Sequence, residues 1–160
     1  MGLSDYNQRS TFMTQEIRFC LNANETPALP GAYAMAIELT DKAAVRLNGQ
    51  SPITLPAGRY LYCGSAKGPG GLKARLSRHM RRGKSLRWHV DQLTEQGSVV
   101  GSWVFPAGDE CELVQMCSYL PMPIAGFGSS DCATCRSHLL VWPNRMALPW
   151  LGAGIKAARP

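Results

Sequence analysis

The residues of this chain best equipped for chemistry begin between Lys67 and Arg87, where Lys67, Lys73, Arg75, Arg78, Arg81, Arg82, Lys84 and Arg87 occur with no acidic residue among them. Their charge exceeds the formal net charge of +6, so the basicity is concentrated on one element. Focused charge points to a polyanionic ligand, whereas diffuse charge serves only solubility. A basic run standing alone is most often a solvated helix face. This one starts directly behind Tyr62-Cys63-Gly64-Ser65, and within it Arg75 precedes His79 by one helical turn. The two then project from one face, where a guanidinium fork can hold two phosphate oxygens. Further on, Cys132, Cys135 and His138 form a Cys-x2-Cys-x2-His cluster. Three ligands are too few for a closed metal site, so the reading is against a structural zinc at Cys132, Cys135 and His138 unless Cys20 or Cys111 supplies a fourth. It favours instead a glycine-shaped loop from Gly126 to Ser130 over a site, braced by Asp131 and His138 through hydrogen bonds.

The punctuation of the chain sets out the elements that must carry these groups. Residues 1–28 mix polar and apolar types without period and run into Pro27 and Pro30, which reads as an N-terminal arm. A domain over 29–142 follows. Ala32 to Leu39 is a predicted strand, Ala43 to Leu47 and Ser51 to Leu55 are short strands around an Asn48-Gly49 turn, and Arg59 to Cys63 is another strand. After the break at Gly68-Pro69-Gly70-Gly71, Leu72, Leu76 and Met80 recur at four-residue spacing, which predicts an amphipathic helix ending by Gly83 with a cationic outer face. A second helix is expected over 86–96, a strand over 99–105, a third helix over 110–120 and a last strand over 139–142. Residues 143–160 read as an apolar tail.

At 160 residues, 45% hydrophobic and 18% charged, the chain suits one globular domain with tails. Its start lacks a cationic segment followed by an apolar one, Tyr6 stands where a myristoylation motif needs Ser or Thr, and no apolar run approaches a bilayer span of roughly 18 residues. A cytoplasmic protein with no membrane partner is expected. Its six cysteines should be reduced thiols, with Cys63, Cys111 and Cys117 as small buried hydrophobes.

Gly31-Ala32-Tyr33 on the first strand and Tyr62-Cys63-Gly64 on a later one resemble the paired motifs of the GIY-YIG endonuclease superfamily. The order of the next segments strengthens the likeness: Gly64-Ser65 leads into Leu72-Lys73-Ala74-Arg75-Leu76-Ser77-Arg78-His79, similar to that superfamily's arginine helix. Trp88-His89-Val90-Asp91, Glu110-Cys111-Glu112-Leu113 and Gly126-Phe127-Gly128-Ser129-Ser130-Asp131-Cys132 resemble one uncharacterised branch, whose members occur alone or fused to endonuclease III-like repair glycosylases. The likeness covers roughly Gly31 to Trp142. Cys63 replaces the usual Ile or Val, the segment between Tyr33 and Tyr62 is longer than in minimal members, and Cys132-Ala133-Thr134-Cys135 is wider than the branch's usual Cys-x-Cys.

The resemblance implies an α/β (α+β) fold with a small antiparallel sheet flanked by helices, and a DNA endonuclease dependent on Mg²⁺ or Mn²⁺. Repair or recombination intermediates are the implied substrates, RNA is not excluded, and a repair protein is a further partner. Cleaving a phosphodiester needs an oriented water, a group to take its proton and positive charge on the developing pentacovalent phosphate. By resemblance, Tyr33 takes the proton and Tyr62 places the phosphate beside Arg75. His79 or His89 is the rival base, since a tyrosine with an ordinary pKa near 10 is a poor base at neutral pH. A carboxylate on the third helix would hold the metal. Glu110 and Glu112 cannot share a helical face, and both stay open as that ligand. Lys67, Lys73, Arg78, Arg81, Arg82, Lys84 and Arg87 are the expected nucleic-acid contacts. The competing classes are a non-catalytic nucleic-acid-binding module and a zinc-stabilised interaction domain.

Overall fold

Alternation along one strand divides the interior in two. The computed structural model describes residues 17–130, 132–143 and 147–152. In β2 (Gly31–Leu39), Tyr33, Met35, Ile37 and Leu39 face one core and Ala32, Ala34 and Ala36 the other, as the two-residue period of a strand requires. β2 is the centre of a five-stranded sheet in the order β1-β6-β2-β5-β7, with β1 at Arg18–Cys20, β5 at Gly58–Ala66, β6 at Ser98–Pro106 and β7 at Leu139–Val141. Every pairing in it is antiparallel. β3 (Ala43–Val45) and β4 (Ile53–Leu55) form a separate hairpin, shorter than the strands expected on either side of Asn48-Gly49.

Helices α1 (Gly71–Met80) and α2 (His89–Gln96) cover the first face, placing Leu72, Leu76, Val90 and Leu93 against the large side chains of β2. On the second face the alanine row leaves room for bulk from elsewhere. Trp103 fills it, with its ring 4.7, 5.5 and 5.7 Å from those of Phe19, Trp142 and Trp150. Leu113 and Cys117 from the region of α3 (Glu110–Met116) close this core. The result is the expected mixed α+β architecture, with helices on both sides of an antiparallel sheet.

The domain is wider than its sequence boundaries. Within the predicted arm, β1 pairs with β6, and Ile17 and Phe19 are buried in the second core. The backbone carbonyls of Pro27 and Leu29 accept from the Lys73 and Leu72 amides, satisfying donors that the start of α1 leaves open. Within the predicted tail, Leu148 and Trp150 are buried in the same second core. Two helices are shorter than expected. α2 starts at His89 because the Asp91 carboxylate accepts from the amides of Arg87 and Trp88, at 2.8 and 3.0 Å, and holds Trp88 extended. α3 ends at Met116, beyond which Cys117 leaves helical geometry. No described helix is long and apolar enough to cross a membrane.

Candidate active site

Strand register brings the first group of reactive residues to one end of the sheet. Tyr33 lies near the start of β2, opposite Gly64 near the end of β5 and Val104 near the end of β6. Since α3 follows β6 after a short loop, Glu110 enters at the same end. Tyr33, Tyr62, Lys67, Arg75, His79, Trp88 and Glu110 are among the residues lining a cleft of about 450 Å³ there.

Gly64 shows why a glycine closes the second motif. A β-carbon at this position would collide with the phenol ring of Tyr33, its cross-strand partner. The space it leaves lets the Tyr33 ring lie across the strand and reach α1. There the Tyr33 hydroxyl sits 2.6 Å from His79 Nε2, and both residues are only 2% exposed. Burial pushes the Tyr33 phenol well above its ordinary pKa, with the neighbouring Tyr62 adding to the rise. Burial also drives His79 down to about 3, against the opposing pull of the Asp91 carboxylate. Both partners are therefore neutral near pH 7. The phenol O–H, the stronger acid of the two, donates to Nε2, which leaves the imidazole proton on Nδ1. His79 Nδ1 is buried without a hydrogen-bond partner.

Arg75 reaches the cleft from the preceding turn of α1, as its spacing from His79 required. Its guanidinium stacks 4.3 Å from the Trp88 ring centroid, and that of Arg78 lies 4.6 Å from the same ring. The Tyr62 ring lines the cleft and packs edge-on against Phe127. Burial raises its pKa as well. Gly128, with φ of +69°, lies so close to Tyr62 that a β-carbon would touch the ring at 2.7 Å.

The structure separates several residues that the sequence grouped. Glu110 is on the cleft wall, whereas Glu112 is exposed and does not line the cleft. His89 is outside the cleft lining and accepts the Gly128 amide through Nδ1 at 2.9 Å, so it fastens the glycine loop rather than facing the reacting groups. Of the expected phosphate contacts, Arg78 pairs at 2.7 Å with the fully buried Asp91 carboxylate. Arg82 donates to the carbonyls of Glu95 and Gly97. Lys84 is buried, donating to the carbonyls of His79 and Arg81 and to the Glu95 carboxylate at 3.0 Å. These three cations tie α1 and the turn after it to α2, because they meet the Asp91 and Glu95 carboxylates and the Glu95 and Gly97 carbonyls at the end of α2. Lys67, Lys73, Arg81 and Arg87 remain exposed.

A second group of reactive side chains shares the cleft wall. Cys111, Cys132, Cys135 and His138 each bring one potential ligand atom to within 4.8 Å of all the others. Cys111, expected as a small core residue, is half-buried and is the fourth member that the Cys-x2-Cys-x2-His cluster lacked. A hydrogen bond from Thr134 leads the interactions that bring the Cys132 thiol down to about 5, and burial pushes Cys135 up to about 12. Asp131, expected to brace this loop, lies outside the described residues.

Sequence reasoning assigned no role to Trp88 or Asp91. An aromatic within a basic run and an acid just behind it were the available signals, but their partners come from another helix. The model of a family described as a domain of unknown function, DUF123, matches residues 32–151, and the chain belongs to that family. No curated protein and no solved structure matches.

Proposed function

We propose that this member of the DUF123 family is a divalent-metal-dependent DNA endonuclease of GIY-YIG type, acting on repair or recombination intermediates. The observation that carries the reading is the 2.6 Å contact between the Tyr33 hydroxyl and His79 Nε2 on the wall of a cleft that also presents Arg75 and Glu110. Binding a polyanion alone requires the cations but not a buried phenol joined to an imidazole.

The two rival bases form one relay. A water at the cleft wall gives a proton to Tyr33 Oη as the phenol proton moves to His79 Nε2, so phenolate never accumulates despite the raised pKa of Tyr33. The imidazolium so formed is opposed by burial and favoured by Asp91, and a bound phosphate adds negative charge in its favour. Arg75 presents its fork to the phosphate oxygens, and Trp88 holds the guanidinium plane from behind. Tyr62 lines the same wall and orients the phosphate through its hydroxyl. Lys67, Lys73, Arg81 and Arg87 supply the electrostatic attraction for the rest of the backbone.

The half-exposed Glu110 carboxylate fits a hard cation that keeps several waters, so Glu110 would hold Mg²⁺ or Mn²⁺. Such an ion polarises the phosphate and stabilises the leaving oxygen. The test is incubation of the protein with nicked, flap, Y-shaped and four-way DNA, with Mg²⁺ or Mn²⁺ and with chelator. Cleavage that is lost with chelator and in Glu110→Gln, with binding retained, supports the reading. Binding to every substrate without cleavage of any would replace it with a non-catalytic nucleic-acid-binding module.

A further inference from the structure

We propose that Cys111, Cys132, Cys135 and His138 hold one zinc ion in a closed tetrahedral site that clips residues 132–138 to the first turn of α3. This inference stands apart from the nuclease reading, since the zinc needs neither Tyr33 nor a second ion, although Glu110 borders both sites.

The distances suit the ion. With Zn–S bonds of about 2.3 Å, two thiolates on a tetrahedron lie about 3.8 Å apart. The Cys111 and Cys132 sulfurs are 3.5 Å apart, and all four ligand atoms fall within 4.8 Å of one another. Closing the tetrahedron therefore takes movements of about an ångström in half-exposed side chains. The ligand set selects the metal: three soft thiolates with one imidazole suit zinc and repel Mg²⁺ or Ca²⁺, which take oxygen. Three cysteines and one histidine also fill every position, leaving none for water, as a structural rather than a catalytic zinc requires.

His138 supplies an independent reason. The residue is 2% exposed, yet neither of its ring nitrogens meets hydrogen-bond geometry, with the Cys132 thiol and the Glu110 carboxylate as polar neighbours. An imidazole buried so completely beside three thiols, with no well-formed hydrogen bond, is satisfied by a metal. Its Nδ1 lies 3.7 Å from a Glu110 carboxylate oxygen, beyond hydrogen-bond range but on the same side. With Nε2 on the ion, the Nδ1 proton would point at that carboxylate, the arrangement by which acidic groups orient metal-bound histidines. The turn is also shaped for a sulfur anion: the Cys135 amide donates to Cys132 Sγ at 3.3 Å and the Thr134 hydroxyl lies 3.5 Å from it. On binding, the thiols that still carry a proton, Cys111 and Cys135, release it to solvent, and the imidazole binds as the neutral ring.

The loop is held by the Gly126 amide on the Arg136 carbonyl, the His138 amide on the Phe127 carbonyl, the Gly128 amide on His89 and the buried Phe127 ring. The zinc adds a direct link from this loop to Cys111, the neighbour of Glu110.

The decisive experiment is elemental analysis of the full chain purified with reductant and without chelator or an immobilised-metal step. About one zinc per chain is expected in the wild type, and less than about a tenth in the Cys132→Ser/Cys135→Ser variant. Should that variant not fold, Cys111→His keeps four ligands and is expected to retain the ion. Exchange into Co²⁺ then reads the geometry: intense tetrahedral bands with thiolate-to-cobalt charge transfer are expected, weaker in charge transfer for Cys111→His. A folded wild type that stays zinc-free after exposure to Zn²⁺ overturns the proposal, as does a Cys111–Cys132 disulfide isolated under reductant or an octahedral cobalt spectrum. A chain that holds zinc but cuts no DNA leaves this site standing and removes the nuclease, and a zinc-free nuclease does the reverse.

Discussion

Replacing Tyr33 by phenylalanine removes one oxygen and acts on two properties at once. The deleted hydroxyl is the 2.6 Å partner of His79 Nε2. His79 is 2% exposed and its Nδ1 is already unpaired, so Tyr33→Phe leaves a buried imidazole with no hydrogen bond at all. A buried polar group stranded in this way costs about 1–3 kcal/mol. For a domain of this size each kcal/mol moves Tm by about 2–4 °C, so the variant should melt about 2–12 °C below the wild type. Removing both partners should recover part of the loss, because an apolar pair replaces a half-satisfied one: Tyr33→Phe/His79→Leu is expected to be more stable than the sum of the single changes. Catalysis should not recover. Loss of the relay should lower the single-turnover rate on DNA by about 10²–10⁴ in Tyr33→Phe and leave the double variant no better. Urea unfolding and single-turnover cleavage of the same preparations read the two effects. If Tyr33→Phe unfolds at the wild-type midpoint, the buried bond does not hold the pair together. If it cuts at the wild-type rate, the relay is refuted whatever the stability.

Folded His79 protonates only near 3 against an ordinary 6.5, so the unfolded chain takes up this proton first as pH falls. Stability from this residue is thus complete above pH 6.5 and declines between 6.5 and 3, by up to about 1.4 kcal/mol per pH unit. A His79→Leu profile of urea midpoint against pH should be flatter in that window, and parallel profiles would contradict it. Gly64→Ala should force a β-carbon into the Tyr33 ring and cost about 1–3 kcal/mol, with cleavage falling further than stability accounts for. An unchanged unfolding midpoint would show that the ring has room to move. Charge removal should divide the basic run: Arg78→Ala leaves the buried Asp91 carboxylate with its two amide donors but without the paired guanidinium and should destabilise by about 3–5 kcal/mol, whereas Lys73→Ala or Arg81→Ala should spare stability and reduce the salt slope of DNA binding by about 1 each. Equal effects from Arg78 and Lys73 would refute that division.

Elements with a sustained period were legible. The alternation of β2 and the Leu72, Leu76 and Met80 spacing of α1 placed both within a residue or two, and Arg75 and His79 came to one cleft as the helix period requires. What stayed hidden was set by partners far along the chain. Three-residue β1 has too few side chains to show a period, and its burial comes from Trp103. The basic run read as one surface, but Arg78, Arg82 and Lys84 meet Asp91, Glu95 and Gly97 only once α2 packs beside α1. The bond between Tyr33 and His79, on which the proposed relay rests, spans 46 positions and depends on a glycine. Cys111 stands 21 positions before Cys132, so local spacing could offer it only as one of two candidate fourth ligands, beside Cys20.

The placement of the four tryptophans makes the molecule its own spectroscopic probe. Trp103, Trp142 and Trp150 are buried together on the alanine side of the sheet, and their emission should report whether the domain is intact. Trp88 alone stands at the cleft, 38% exposed and in contact with two guanidinium groups. A phosphate that draws Arg75 away from the indole changes the field on that ring and no other. Replacing Trp88 by phenylalanine should therefore abolish the fluorescence change on DNA addition while leaving the unfolding signal whole, so occupancy and folding can be followed in one sample without any attached dye.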